Sequence, residues 1–371
     1  MAKLGEICSL KAGKFVSANN IFSDYKQGLY PCFGGNGIRG YVSDYTHDGE
    51  FPLIGRQGAL CGNINLASGK FHATEHAVVV QPKISMNIHW LYYALTAMNL
   101  GQYATGAAQP GLAVSKLETL PIAVPSRPTQ DKVEKSLSQI EKLLSLRKQQ
   151  LTKLDELVKA RFVEMFGDPI NNPMKWIVSK IEDIAAQEKN ALKAGPFGSA
   201  LKKEFYVKSG YKIYGQEQVI CGDASFGDYY IDEEKYKELK NCAVQAGDIL
   251  ISLVGTYGKT LIMPDNYEAG IINPRLMKIT LNKNKVTPIY FKYYFESDAL
   301  KASMDASTHG GTMGILNLGI IRQMKIQVPP LSIQNQFATF VERVNQQKQT
   351  VQESLKKLEL LKKALMQEYF G

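Results

Sequence analysis

The sequence predicts an α+β fold made twice over: two globular domains of mixed strand and helix, each followed by one long helix. Three observations carry that prediction. The chain repeats itself at an offset of 204 residues, and both repeats hold apolar residues at the spacing of a long one-sided helix. The stretches between them are short strand-like runs punctuated by Gly, Asn and Asp.

Sliding the chain by 204 residues lays Leu120–Gly167 over Met324–Gly371 without a gap. Ile122, Val124, Pro125 and Gln130 meet Ile326, Val328, Pro329 and Gln334; Leu151, Lys153, Leu154 and Leu157 meet Leu355, Lys357, Leu358 and Leu361. Ala160, Glu164, Phe166 and Gly167 then meet Ala364, Glu368, Phe370 and Gly371. Proline, phenylalanine and glycine falling at matching places over so long a register mark a duplication.

Each copy opens with a strand-like tail that runs into proline, PIAVPSRP and KIQVPPLS, and proline cannot continue a ladder. Thr129 and Ser332 are expected as helix caps. Val133, Leu137, Ile140, Leu144, Arg147, Leu151, Leu154 and Val158 follow in steps of four and three. Phe337, Val341, Val344, Lys348, Val351, Leu355, Leu358 and Lys362 match them in the second copy. That is a coiled-coil seam, with Gly167 and Gly371 as terminators. A helix of about 35 residues would be about 50 Å long and needs a partner for its stripe. The tether between the copies makes each the default partner of the other, and the basic seam residues Arg147, Lys348 and Lys362 restrict register and orientation.

These signals divide the chain into globular domains at 1–125 and 168–328 and helical segments at 126–167 and 329–371. Traces of the duplication persist inside the domains. Lys3–Ile7 resembles Lys180–Ile184, Gly49–Gly62 resembles Ala246–Lys259, and Gly106–Ile122 lies over Gly310–Ile326. Short helices are expected over Trp90–Met98 and Ile289–Ser297.

A chain of 371 residues with 44% hydrophobic and 21% charged residues suits two folded domains rather than disorder. The net charge of +9 and pI near 9.0 favour polyanionic partners such as nucleic acid or an acidic membrane surface. No apolar run is long enough to span a bilayer and the first residues lack a signal-peptide core, so the expected location is cytoplasmic. Cys8, Cys32, Cys61, Cys221 and Cys242 form no C-x-x-C pair and are expected as small buried apolar groups in a reducing compartment.

Motifs for covalent chemistry are incomplete. His72-Ala73-Thr74-Glu75-His76 matches H-x-x-E-H, but the flanking residues read as loop running into strand, where a zinc site needs a helix. Gly255–Thr260 resembles the end of a phosphate-binding loop, yet Leu253 stands where the first glycine belongs. Asn273-Pro274-Arg275 lacks the second proline and the aromatic of an adenine methyltransferase loop. No catalytic, cofactor or metal residue is therefore expected. Polar and glycine-rich stretches offer a contact surface instead: Asn36, Arg39, Tyr41, Arg56, Gln57, His72, Glu75 and His76 in the first domain. The second domain offers Lys193, Ser199, Lys202, Lys203, Gln216, Gln218, Tyr257, Lys259, Thr260, Asn273 and Arg275. Arg, Asn and Gln form paired hydrogen bonds to base edges, while Lys neutralises phosphate.

With these residues in place, the chain resembles the DNA-specificity subunit of type I restriction–modification enzymes over essentially its whole length. The markers are the twice-used I-x-V-P…Q entry into a long helix, Ile122–Gln130 and Ile326–Gln334, and the closing ARFVEMFGDP. YPCFGGNGIRGY and LIGRQGALCGN also look like target-recognition sequences of that family. SRPTQ departs from the usual P-P-L-x-x-Q, which the second copy keeps. The resemblance implies two target-recognition domains joined by long helices packed as an antiparallel coiled coil with pseudo-twofold symmetry. Each domain would read one half of a bipartite DNA site, with the helices setting the spacer and docking two modification subunits. Those subunits would bind S-adenosylmethionine and methylate adenine, and restriction subunits would use ATP. The competing classes are a coiled-coil scaffold that binds only proteins and a zinc hydrolase built on His72 and His76.

Overall fold

The computed structural model describes residues 1–106, 110–197, 200–307 and 316–371. Ser199, and parts of the paired stretches Gly106–Ile122 and Gly310–Ile326, lie outside the described residues. Both long helices are present, as Arg127–Phe166 and Leu331–Phe370, each of 40 residues. They begin earlier than expected. Thr129 and Ser332 sit inside the first turn rather than capping it, because a proline with its preset φ starts each helix, Pro128 as the second residue and Pro330 just ahead of the first. At the other end Gly167 adopts φ +79° and its N–H returns to the Val163 carbonyl, a left-handed cap that other residues take only under strain.

The chain forms two compact units, Met1–Gln149 with Gln352–Gly371, and Gln150–Val351. The division cuts both long helices, so each unit holds the first part of one helix and the last part of the other. Within each unit the two helix parts run antiparallel. In the second unit, Phe162 meets Phe337 at 5.5 Å between ring centroids and Asp155 accepts a hydrogen bond from Lys348. In the first, Glu141 accepts from Lys362 at 2.7 Å and from the Tyr93 hydroxyl at 2.8 Å. The two seam lysines therefore carry specific carboxylate partners.

The sheets of the two units are built alike. The first unit has a four-stranded antiparallel sheet in the order Cys8–Ala12, Ala77–Pro82, Phe51–Gly55, Ile64–Ala67. The second repeats it as Leu192–Ala194, Leu276–Ile279, Ile249–Ser252, Thr260–Ile262. A second sheet in each unit contains a parallel pair, Tyr30–Gly34 with Lys70–Ala73 and Tyr211–Tyr214 with Gly270–Ile272. A short antiparallel pair, Ala2–Lys3 with Pro121–Ile122 or Ile177–Lys180 with Lys325–Val328, leads into each long helix.

Both faces of the central strands are covered, which is why they read as continuous apolar runs. Along Ala77–Val80 the side chains alternate. Val78 and Val80 join the cluster around Trp90, Leu91, Val133 and Leu137, while Ala77 and Val79 join the cluster around Phe33, Leu53 and Phe71. In the second unit Ile249 and Ile251 face a cluster with Tyr290, Phe162 and Phe337, and Leu250 faces the other way.

The repeated glutamines explain themselves here. Gln130 accepts from the Asn87 N–H at 2.8 Å and donates to the Pro125 carbonyl at 2.9 Å. Gln334 accepts from the Thr287 N–H at 2.8 Å and donates to the carbonyls of Pro329 and Lys285. Asn87 and Thr287 are the N-caps of the domain helices Ile88–Ala97 and Pro288–Phe295. Each buried glutamine thus bolts the start of a long helix to the start of a domain helix. Among the described residues no helix is long and apolar enough to cross a membrane. Cys8, Cys32 and Cys242 are buried, burial pushing the Cys8 thiol up to about 11, but Cys221 is exposed at the end of the short helix Gln216–Cys221.

Candidate nucleic-acid interface

One turn recurs in both units. In the first unit, Thr74 donates its N–H to the Phe33 carbonyl and Ala77 returns to Thr74; His76 accepts from the Arg56 N–H, and Ala77 from the Gly13 N–H. In the second, Asn273 donates to Tyr214 and Leu276 returns to Asn273; Arg275 accepts from Leu253, and Leu276 from Gly195. Four backbone hydrogen bonds of 2.8–3.1 Å are reproduced, so Thr74–Ala77 and Asn273–Leu276 are the same device. Gly13 and Gly195 have to be glycine, since a Cβ would come within 2.0 Å of the Ala73 carbonyl oxygen and 1.9 Å of that of Asn273.

Each turn borders an open cleft. The cleft of the first unit, about 500 Å³, is lined by Gly35–Arg39, Gln57, Gly58 and His76. That of the second, about 530 Å³, is lined by Lys203, Tyr206, Ile213, Gly215–Gln218, Tyr229 and Asn273–Arg275. The first cleft gathers Asn36, Arg39, Gln57 and His76 from the sequence expectation, and the second gathers Lys203, Gln216, Gln218, Asn273 and Arg275.

The first cleft has open hydrogen-bonding capacity at its edge. Arg56 Nε, Glu75 Oε2 and His76 Nδ1 are buried atoms without a hydrogen-bond partner among the described residues, although Glu75 and His76 pair with each other at 3.1 Å. Asn36 accepts from Asn63 at 2.8 Å, which leaves its amide N–H groups outward-facing donors. Arg39, Gln57 and Arg275 are exposed. Donors and acceptors of this kind, held on a rigid frame, fit base edges and phosphates.

Several expected contact residues hold the fold instead. His72 is buried on the strand Lys70–Ala73, its ring nitrogens 3.1 and 3.3 Å from the carbonyls of Lys14 and Asp44. With His76 across a strand–turn–strand segment, the helix that an H-x-x-E-H metal site needs is replaced by sheet, and the zinc reading loses its geometry. Gln218 is buried, accepting from the Gly215 N–H and donating to the Phe226 carbonyl. Thr260 is buried and donates to Glu296, while the Tyr257 hydroxyl donates to Asp305. These polar side chains look like a surface in sequence because their type is hydrophilic, yet the fold uses them to satisfy buried backbone and carboxylate groups.

Lys259 is exposed but lines a separate pocket with Lys159, Tyr293 and Glu296. Lys193 is half-buried in the strand Leu192–Ala194, and Tyr41 is half-buried with its ring 5.4 Å from that of Tyr25. Lys202 is exposed beside Lys203. The second cleft adds two residues the sequence reading passed over, Tyr206 and Tyr229, whose rings lie 5.6 Å apart. Burial raises the Tyr206 hydroxyl above the usual tyrosine range, with Tyr229 adding to it. Elsewhere in the first unit His47 stacks on Phe71 at 5.3 Å, and burial, reinforced by His72 and Lys14, holds its imidazole below the usual histidine value.

The seam residues are the shielded ones of each helix. Val133, Leu137, Ile140, Val158, Phe337, Val341, Val344 and Val351 are buried, and Leu144, Leu151, Leu154, Leu355 and Leu358 are half-buried. The seam runs on past Val158 to Phe162 and Phe166, which close an aromatic cluster with Tyr290 and Phe337.

The model of the type I restriction modification DNA specificity domain matches residues 1–156 and 173–360. The chain belongs to that family. The specificity family accounts for the doubled architecture, since the matched segments cover both units. Over 124 residues the chain is 59% identical to the type I restriction enzyme EcoprrI specificity subunit of Escherichia coli, a match spanning 33% of this chain and 31% of that relative. Over 343 residues it is 28% identical to the putative type I restriction enzyme specificity subunit S.HindORF215P of Haemophilus influenzae, covering 88% and 83%. Two solved structures share the fold. The type I restriction–modification S subunit from M. genitalium aligns with a TM-score of 0.61 and 16% identity, covering 100% of this chain and 95% of that one. A chain from a type I restriction–modification system studied for complex assembly and conformational transition gives 0.64 and 15%, covering 100% and 96%.

Proposed function

We propose that this protein is the DNA-specificity subunit of a type I restriction–modification complex, in which each unit reads one half of a bipartite site. The carrying observation is the repeated turn. One backbone frame presents Glu75-His76 beside one cleft and Pro274-Arg275 beside the other, so two different half-sites are read from equivalent positions. Arg39, Asn36, Gln57 and Arg275 supply base-edge contacts, and Lys202 and Lys203 neutralise phosphate. Ser199, Lys193 and Lys259 stay outside that assignment.

The two helices set the spacer between the half-sites and dock the modification subunits. Leu143, Leu146, Leu157, Leu360 and Leu361 are exposed apolar residues on these helices and suit a protein partner. The modification subunits carry S-adenosylmethionine and the methylation chemistry, the restriction subunits use ATP, and this chain contributes position and discrimination without a reacting group of its own.

Sequencing methylated adenines in host DNA with and without the gene tests the reading. A bipartite motif that vanishes with the gene is the expected result, and an unchanged methylation pattern refutes it. Binding of the assembled complex to that duplex should weaken steeply with salt, and Lys203→Ala should lower the salt slope by about one. A scaffold that binds only proteins would give no such salt dependence.

A further inference from the structure

The most exposed aromatic side chains among the described residues are Phe15, at 75%, and Phe197, at 84%. They occupy the same place in the two units. Phe15 closes the run Leu-Lys-Ala-Gly-Lys-Phe (10–15) and Phe197 the run Leu-Lys-Ala-Gly-Pro-Phe (192–197), identical at five of six positions. Each follows by two residues the glycine pressed against the turn that borders the cleft, Gly13 or Gly195. Folding gives no reason for the match at the aromatic position, because a phenylalanine left in water forgoes the stabilisation of burial. The turn residues themselves have diverged to Glu75-His76 and Pro274-Arg275.

A residue that reads a base should differ between two half-sites, whereas one that does the same task at both should be the same. We infer that Phe15 and Phe197 are paired wedges that insert between base pairs beside each half-site, a contact independent of sequence. Basic surroundings favour DNA over a protein partner: Lys11 and Lys14 flank Phe15 and are exposed, and exposed Lys202 and Lys203 follow Phe197. Lys203 also lines the second cleft. Apolar side chains wedged into base steps unstack them and bend the duplex. The inference rests on the DNA-reading function proposed above.

The test uses the complete complex with its modification subunits and a duplex carrying the methylated site, labelled at both ends for energy transfer. Phe15→Ala and Phe197→Ala should each weaken binding roughly five- to hundredfold and reduce the protein-induced bend. The salt slope should stay unchanged, since no charge is lost. Phe15→Leu and Phe197→Leu should keep most of the bend, because leucine also wedges. Normal affinity and normal bending in both alanine variants, with their melting temperatures retained, would overturn the inference while leaving the DNA reading intact. Loss of the modification subunits from the purified alanine variants would likewise overturn it and assign the phenylalanines to a protein interface. If the unaltered complex binds no duplex, the underlying reading fails first.

Discussion

The turns Thr74–Ala77 and Asn273–Leu276 share four backbone hydrogen bonds and no side chain. The long-helix repeats keep some side chains as well as register: over 48 aligned positions, from Leu120 to Gly167 and from Met324 to Gly371, they share the Ile, Val, Pro and Gln of the entry and the Phe-Gly of the exit. Where the helices are bolted to the domains, at Gln130 and Gln334, side-chain identity is retained. In the turns beside the clefts only the backbone frame is, while the exposed Phe15 and Phe197 next to them stay alike. A duplicated binder that reads two different half-sites requires that pattern, since backbone bonds fix position while side chains carry the discrimination.

The sharpest way to break the comparison is in the seam. Phe337 and Val133 are equivalent by the repeat, but Phe337 sits in an aromatic cluster with Phe162, Phe166 and Tyr293. Phe337→Ala should cost about 3–5 kcal/mol in a denaturant titration, and Val133→Ala only about 1–2 kcal/mol for the two methyl groups removed. Equal costs would mean that the aromatic cluster adds nothing to the second unit.

Next come the glutamine bolts. Gln130→Ala and Gln334→Ala should each lose about 2–3 kcal/mol, because a buried N–H and at least one carbonyl are left without partners. The comparison survives only if the two losses agree, and a large difference would show that one bolt is redundant. In the clefts, Arg275→Ala should weaken binding by about 1–3 kcal/mol, and only for duplexes that keep the half-site read by the second unit. His76→Ala should act on the other half. A loss that does not depend on which half-site is altered would end the assignment.

The smallest effect is one of pH. The His47 pKa is lowered in the folded protein, so the unfolded chain binds more protons between that value and about 6.5. The associated stability is present above about 6.5 and is lost as pH falls through the lowered folded value. An NMR titration should place the His47 midpoint below that of free histidine, and a midpoint at or above it would contradict the buried stacking on Phe71.

Sequence made the long helices legible because three signals coincide there: a 3.5-residue period, proline at the entry and glycine at the exit. It misplaced the caps because Pro128 and Pro330 start the helices ahead of Thr129 and Ser332. It stopped the seam at Val158, one turn short of Phe162. The clefts were half legible. Asn36, Arg39 and Gln57 stood out as hydrogen-bonding groups among glycines and Arg275 in the run Asn273-Pro274-Arg275, but His72, Gln218 and Thr260 look the same in sequence and are consumed inside the fold. The equivalence of the two turns was out of reach, since the offset has drifted from 204 to 199 there and the relation lies wholly in main-chain bonds.

The division of the helices between units has a genetic consequence. Leu365, Met366, Tyr369 and Phe370, in the last turns of the second long helix, pack against the cluster that contains Leu4 and Trp90. A nonsense codon in the last turns would therefore wound the domain translated first and spare the one translated second. Until the ribosome has released the last turns of the second long helix, the amino-terminal domain waits for its last wall.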